Sequence, residues 1–441
     1  MPLRPDDITD GQTLSGTVFK RFKGLNNLVP PERLKPEELA TANNVDIDNS
    51  FALRLRQGST LVAPGNYHSL WGSPTQPFGL VVKNGSLVII YPDFSTSAPL
   101  AQNISDINPV NYVEVNGVVY WSNGIVSGAV ESGKGRSWGI QPPSTPAATL
   151  AVGNLTPGTY VYCATYLRND GQESGNSGFN RIDVPPGATI QFQLFQPADP
   201  TITRVRVYMT TPNGEVLYRA LEVPIGTLQP VYEGQAELLT IPLRTLYMTA
   251  PPPGKYLSLA SGRILFAIGN TLYYTEPFGF ELCKLDENYL TYDSEITMVA
   301  PVNEGTFVAT QTATYFHEGF DISKTTKVPK ATYGAIPGTL AYLDAAFLPE
   351  TGYTGKVAIW TSPQGIVTGG NQGFIKGILK NMTQNTLSLN QSDFGSAFFT
   401  QQEGINKYIS LLRNTNNDSQ NAFFGDQVTA QVVRNGQVVS Y

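Results

Sequence analysis

Three times in this sequence, a two-residue pair suited to positive φ separates two β-prone runs of matched length. Ile264 to Ile268 and Thr271 to Thr275 flank Gly269-Asn270, Leu80 to Lys83 and Ser86 to Tyr91 flank Asn84-Gly85, and Tyr112 to Val115 and Val118 to Ser122 flank Asn116-Gly117. Asn-Gly and Gly-Asn pairs adopt the mirror-image turns that match the right-handed twist of two antiparallel strands, so each segment reads as a hairpin. A chain built this way repeats a small β unit. Its 42 glycines and 32 prolines punctuate many short apolar runs, as an all-β chain with many turns requires.

Taken in order, residues 1 to 18 carry no periodicity and read as an arm. Pro36 at a first helical position, with Glu37 and Glu38 behind it and Asn43-Asn44 to end it, predicts a helix of about two turns. Asn44 to Asp48 and Phe51 to Arg56 alternate apolar with polar residues and predict a strand pair around Asn49-Ser50, closed by Gly58. Beyond Gly269 further hairpins fall at Thr306 to Thr310 with Ala313 to His317, at Lys356 to Thr361 with Gly365 to Val367, and around Lys407 to Leu412. Spacing of about 40 to 55 residues is what one four-stranded blade needs, and the pattern predicts a β-propeller of about five to seven blades. Its ring would close between strands 44–56 and the C-terminal region, where Gln431 to Tyr441 turns at Asn435-Gly436.

Pro142-Pro143 and Pro251-Pro252-Pro253 bracket a segment of different texture. Leu155 to Tyr166 is a turn leading into alternating aromatics, and Ile202 to Met209, Pro212-Asn213-Gly214 and Val216 to Leu221 form another hairpin. This predicts an immunoglobulin-like or fibronectin type III-like β-sandwich inserted in the propeller. The expected division is an arm and short helix at 1–43, a first part of the propeller at 44–146, the inserted sandwich at 147–250 and the rest of the propeller at 251–441. Within the insert, Asn169, Asp170, Gln172, Glu173, Ser174 and Asn176 belong to a stretch too polar for a core. They are the candidate partner-contact loop, expected to be exposed at one end of the sandwich. A second polar loop is expected at Asn414 to Asn421.

The net charge of −6 comes without any basic block, which excludes a protein that grips nucleic acid through its phosphates but not one that surrounds DNA without holding it. Only 15% of residues are charged, which suits a subunit that hides much of its surface in an assembly, or a surface rich in Asn, Gln, Ser and Thr. Cys163 and Cys283 are too few and too far apart for a disulfide framework and read as two free, partly buried thiols. No apolar run is long enough to span a bilayer, and the first residues lack the apolar core of a secretion signal. With His68 and His317 as the only histidines, a histidine-rich metal site or a two-histidine mechanism is out of reach, and His317 reads as a strand-end residue bonded to a neighbour. Asp46 and Asp48 share one face of a strand, without the Gly-containing acidic loop of a calcium site. No catalytic, cofactor-binding or metal-ligating residue is expected, and no enzyme.

Phe22-Lys-Gly-Leu-Asn, Ala42-Asn-Asn-Val-Asp-Ile-Asp48 and Leu53-Arg-Leu-Arg-Gln-Gly58 together resemble the N-terminal signature of β-propeller tail proteins of tailed bacteriophages. Gly262-Arg-Ile with Leu272-Tyr-Tyr-Thr-Glu-Pro277, and Trp360-Thr-Ser-Pro-Gln-Gly-Ile with Gly369-Gly370 and Gly373, resemble later landmarks of the same group. The resemblance covers residues 22 to 58 and about 255 to 380, and the insert is similar only to generic sandwich modules. It implies a structural virion protein similar to the tail nozzle of short-tailed phages, a hexameric ring below the tail adaptor that continues the DNA-ejection channel. It further implies contacts with adaptor, fibre or needle proteins, and DNA that passes through without sequence-specific binding. Two other functions fit the composition: a host-glycan-binding adhesin and a glycan-cleaving enzyme, the latter without the Ser-x-Asp-x-Gly-x-x-Trp box of sialidase-like propellers.

Overall fold

In the computed structural model all three hairpins form, and the turn residues take the expected backbone. Asn84 and Gly85 have φ of 51° and 77°, and Asn116 and Gly117 have 52° and 82°, both central residues being left-handed as a type I′ turn needs. Gly269 alone is left-handed in its pair, at 59°, as in a type II′ turn. The structure describes residues 21–26, 28–42, 45–48, 50–55, 60–348, 351–378, 394–402, 405–413, 428–434 and 437–440. Among these the regular elements are β-strands and single-turn 3₁₀ helices.

The strands collect into small antiparallel sheets in which chain neighbours are sheet neighbours. A three-stranded sheet covers 67–90, and four-stranded meanders cover 111–136, 255–291, 296–331, 341–377 and 394–440. Packing divides the chain into two compact units, one of residues 60–334 and one drawing on 1–59 and 335–441. Residues 147–250 fall inside the 60–334 unit, together with the sheets on either side of them in sequence.

Within the 60–334 unit, consecutive sheets share apolar cores. Leu80 and Ile89 of the first sheet meet Val119 and Trp121 of the second. Tyr120 and Trp138 join Ile264 and Phe266 of the 255–291 sheet, with Trp138 edge-on to Phe266 at 5.5 Å between ring centres. Leu265 and Tyr274 then meet Val299, Val308 and Tyr315 of the 296–331 sheet. Within the other unit, Val357 and Ile359 pack with Tyr408 of the 394–440 sheet. Strand Ile296–Val302 is buried along its whole length. Each such Val or Ile contributes roughly 1.5–3 kcal/mol of burial, which is why these strands read as apolar runs rather than alternations.

The insert has two sheets over one core. Strands Asn180–Val184, Gly158–Arg168, Ile202–Met209 and Tyr218–Pro224 are neighbours in that order, and Ala147–Val152 pairs with Ala188–Gln193 in the second sheet. Tyr160, Tyr162, Val205 and Val207 of the first face Ile190 and Phe192 of the second, with Tyr162 and Phe192 edge-to-face at 5.3 Å. Residues 228–232 run beside Ala188–Gln193 on its other side, where Phe192 N–H donates to Pro230 O and Tyr232 N–H to Ile190 O.

Three expectations need correction. The short helix after Pro36 does not form: among the described residues there, the one helical turn is Pro31–Arg33, and Glu38–Leu39 instead pairs in parallel with Gly24–Leu25. Backbone bonds from Lys23 N–H to Glu37 O and from Asn26 N–H to Leu39 O replace helical ones, since a two-turn helix has too little cooperativity to resist them. Among the described residues, strands Val45–Ile47 and Leu53–Leu55 pair only with each other, and all four strands of the 394–440 sheet come from the C-terminal residues, so no described residue of 44–56 adds a strand to it. The second strand of the 202–224 hairpin begins at Tyr218, not Val216. The arm at 1–18, the loop at Asn414 to Asn421 and the Asn435-Gly436 turn lie outside the described residues.

Candidate functional site

The polar stretch after strand Gly158–Arg168 is not a free loop. Its tip, Asn169, Asp170 and Gly171, is exposed, but the chain then folds back along the strand it has left. Gly171 N–H donates to Arg168 O, Ser174 N–H to Tyr166 O and Ser177 N–H to Ala164 O. The hydroxyls of Ser174 and Ser177 accept from Tyr166 N–H and Ala164 N–H, and both serines are buried. Polarity here satisfies buried backbone groups instead of meeting solvent.

Glu173 and Asn176 are likewise engaged. Glu173 accepts from the Thr165 hydroxyl at 2.6 Å and the Tyr208 hydroxyl at 2.8 Å and pairs with Arg206 at 2.6 Å. Burial and the Glu173 charge push the Tyr208 phenol well above its ordinary range. Asn176 Oδ1 accepts from Tyr247 N–H, tying the stretch to residues just before the proline cluster. Of the six candidate residues, Asn169 and Asp170 are exposed, Gln172, Glu173 and Asn176 are half-buried, and Ser174 is buried.

The root of the tip carries the densest ionic cluster. Arg168, buried at the end of its strand, pairs with Asp170 at 2.7 Å and with Glu281 at 2.9 Å. Glu281 lies between the 255–291 strands and also takes Arg136 of the 111–136 sheet at 2.7 Å and the Tyr120 hydroxyl at 3.2 Å. Burial alone would lower the affinity of both arginines for their protons, but Glu281, and for Arg168 also Asp170, outweigh it and both are held more firmly charged than usual. Desolvation acts to raise the Asp170 carboxyl, but the Arg168 bond prevails and holds it below the usual carboxylate range. A cleft of about 510 Å³ opens beside this cluster, with Asn116, Tyr120, Gln172 and Phe280 in its wall.

The cluster fastens the insert to the sheets on either side of it in sequence. Asp199 of the insert accepts from the Ser137 hydroxyl at 2.9 Å, Trp138 Nε1 donates to Phe280 O at 2.9 Å, and Thr249 and Cys283 exchange backbone bonds. Arg136, Tyr120 and Glu281 were not singled out in the sequence, and no local signal marks them: they are up to 161 residues apart and meet only through sheet packing.

No family model and no curated protein matches this sequence. Among solved structures, the chain is similar to the extracellular domain of a protein assigned to the one-component systems of B. thetaiotaomicron, at 8% identity and a TM-score of 0.29. That likeness covers 79% of this chain and 37% of the other, so the chain spans well under half of that domain. It is also similar to Hsv2 of Kluyveromyces lactis, a β-propeller, at 9% identity and a TM-score of 0.25 over 78% of this chain and 92% of that one.

The other residues noted in the sequence have structural partners. His317 is buried, with Nε2 2.6 Å from the Tyr292 hydroxyl and Nδ1 3.0 Å from Thr325 Oγ1. Burial, with Lys327 adding to it, lowers its pKa to about 4. Asp46 pairs with Lys407 at 2.8 Å, while Asp48 accepts from Ser50 and Ala52 and pairs with Arg54, so the two carboxylates work apart. Cys163 and Cys283 are free and buried, and burial pushes both thiols up to about 12. No helix among the described residues is long and apolar enough to cross a membrane.

Proposed function

We propose that this chain is a structural virion protein, a tail nozzle subunit whose copies form a hexameric ring around the DNA-ejection channel of a bacteriophage tail. In this proposal the sheets are the blades of a β-propeller and residues 147–250 are an immunoglobulin-like sandwich inserted between two blades. The observation that carries it is that four-stranded meanders follow one another in chain order and that, within each unit, neighbouring sheets share cores, with the 111–136 and 255–291 sheets still neighbours across the insert. The strand order of the insert supports the sandwich. If Ala147–Val152 is strand B, the four-stranded sheet runs C′, C, F, G and the other pairs B with E.

The stretch from Gly262 to Pro277, which resembles a landmark of phage tail proteins, supports this reading by its position on successive strands. Gly262 turns between two strands, with Ser261 at φ 46° and Gly262 at 77°, and Leu272 to Thr275 lies on the next strand and its end. Beside that landmark are two large apolar side chains in solvent: Phe278, 80% exposed, whose N–H donates to Gly262 O, and Phe320, 71% exposed, next to Asp321 and its ion pair with Arg263. A soluble subunit that leaves such rings uncovered gains by packing them against a neighbour. An insert fastened by ion pairs fits a subunit whose task is to hold shape.

Mass photometry of the purified chain, alone and with a tail adaptor protein, tests the proposal. Six copies in one complex is the expected outcome. A chain that stays monomeric in both conditions, and binds glycans on an array instead, would contradict it.

A further inference from the structure

Among the described residues, strand Ala147–Val152 has an open edge. Since Phe192 and Ile190 bond to residues 230 and 232 on the far side, residues 189, 191 and 193 are the ones that bond to Ala147, Thr149 and Ala151 in this antiparallel ladder. The N–H and C=O groups of Ala148, Leu150 and Val152 therefore point away from the sheet, and among the described residues no backbone group meets them. Other outer edges are blunted: Lys327–Ala331 carries two lysines and a proline, Lys134–Arg136 is short and charged, and Asn180–Val184 carries Arg181 and Asp183. The 147–152 edge has no charge, no proline and no bulge, the features with which β-proteins ordinarily prevent strand addition.

The side chains give a second sign. Leu150 and Val152 stand opposite Ile190 and Ala188, on the face that covers the core, yet Leu150 is 48% and Val152 95% exposed. This is the position that strand A occupies beside strand B in an immunoglobulin-like sheet. The chain's own lead-in cannot supply that strand, since Pro142, Pro143 and Pro146 lack the N–H a ladder needs.

We infer that the 147–152 edge is a strand-addition site, completed by an extended segment of another polypeptide. That segment is uncharged, because the edge offers no charge to pair with, and carries aliphatic side chains at alternate positions to cover Leu150 and Val152. The site stands whether or not the chain forms a ring.

The test uses the full chain and a fluorescein-labelled heptapeptide, Ser-Val-Thr-Val-Thr-Val-Ser, read by anisotropy and by hydrogen exchange. The peptide binds, and the amides of Ala148, Leu150 and Val152 exchange fast in the free chain and slowly in the complex. Leu150→Pro removes an outward N–H without touching the ladder to residues 188–193, and it weakens binding about tenfold or more. Val152→Lys, which charges the edge and removes no amide, weakens it too, while Thr149→Lys, on the opposite face, does not. The inference fails if millimolar peptide does not bind, if the three amides are already protected in the free chain, or if both edge variants bind like wild type. A wild-type chain that self-associates through this edge, with association lost in Leu150→Pro, would also overturn it by making a second copy the occupant.

Discussion

The strongest residue-level commitments in this chain are buried polar groups with one essential partner. Glu281 serves Arg136, Arg168 and Tyr120 at once, and without it buried Arg168 keeps only Asp170 and half-buried Arg136 only Glu131 as ion-pair partners among the described residues. Glu281→Ala should cost about 3–5 kcal/mol in chemical denaturation, the usual penalty for breaking a buried pair from one side, and should raise proteolysis within 147–250. His317 gives a pH-dependent term whose sign follows from its depressed pKa. Between the ordinary 6.5 and about 4 the unfolded chain binds a proton that the native chain does not, so stability falls as pH drops through that window. The loss approaches about 3 kcal/mol by pH 4. His317→Gln should remove this slope from unfolding curves measured between pH 4 and 7, and an unchanged slope would show that His317 titrates normally.

At the scale of elements, turn chemistry was the most legible part of the sequence. Asn84-Gly85, Asn116-Gly117 and Gly269-Asn270 were readable because so few residue pairs tolerate these backbones, and the strands flanking them followed. Ser132-Gly133 and Ser261-Gly262 adopt the same left-handed pair and went unread, since Ser carries a weaker turn signal than Asn. The helix expected after Pro36 failed because pairing with Gly24–Leu25, distant in sequence, outcompeted a weak local preference. The polar stretch after Arg168 looked like an exposed loop because composition does not reveal whether a serine faces water or a buried amide. Glycine substitutions separate these effects. Gly117→Ala meets only open space, so its left-handed φ alone should cost about 1–2 kcal/mol. Gly139→Ala adds to a similar φ a Cβ only 2.6 Å from Glu281 O, and should cost more than Gly117→Ala in the same urea titration.

For the whole molecule, repetition of one small sheet could be read from spacing, but the chemistry joining the insert to its neighbours could not. Arg136, Arg168 and Glu281 come from three separate stretches, and only packing of the 111–136 and 255–291 sheets brings them together. Phe278 and Phe320 stand in solvent, and the low charge count does not say where such side chains lie. If those rings lie between subunits, Phe278→Asp combined with Phe320→Asp should leave the thermal unfolding midpoint of the isolated chain nearly unchanged and shift its assembly toward monomer, read by analytical ultracentrifugation. Retained assembly in that variant would move the interface elsewhere. The most direct measurement of the proposed function is cryo-electron microscopy of the purified chain mixed with a phage tail adaptor protein, counting copies about any common axis. A closed six-fold ring with an open central channel is the result expected of a nozzle subunit, and particles with one copy, or with no channel on the axis, would contradict it.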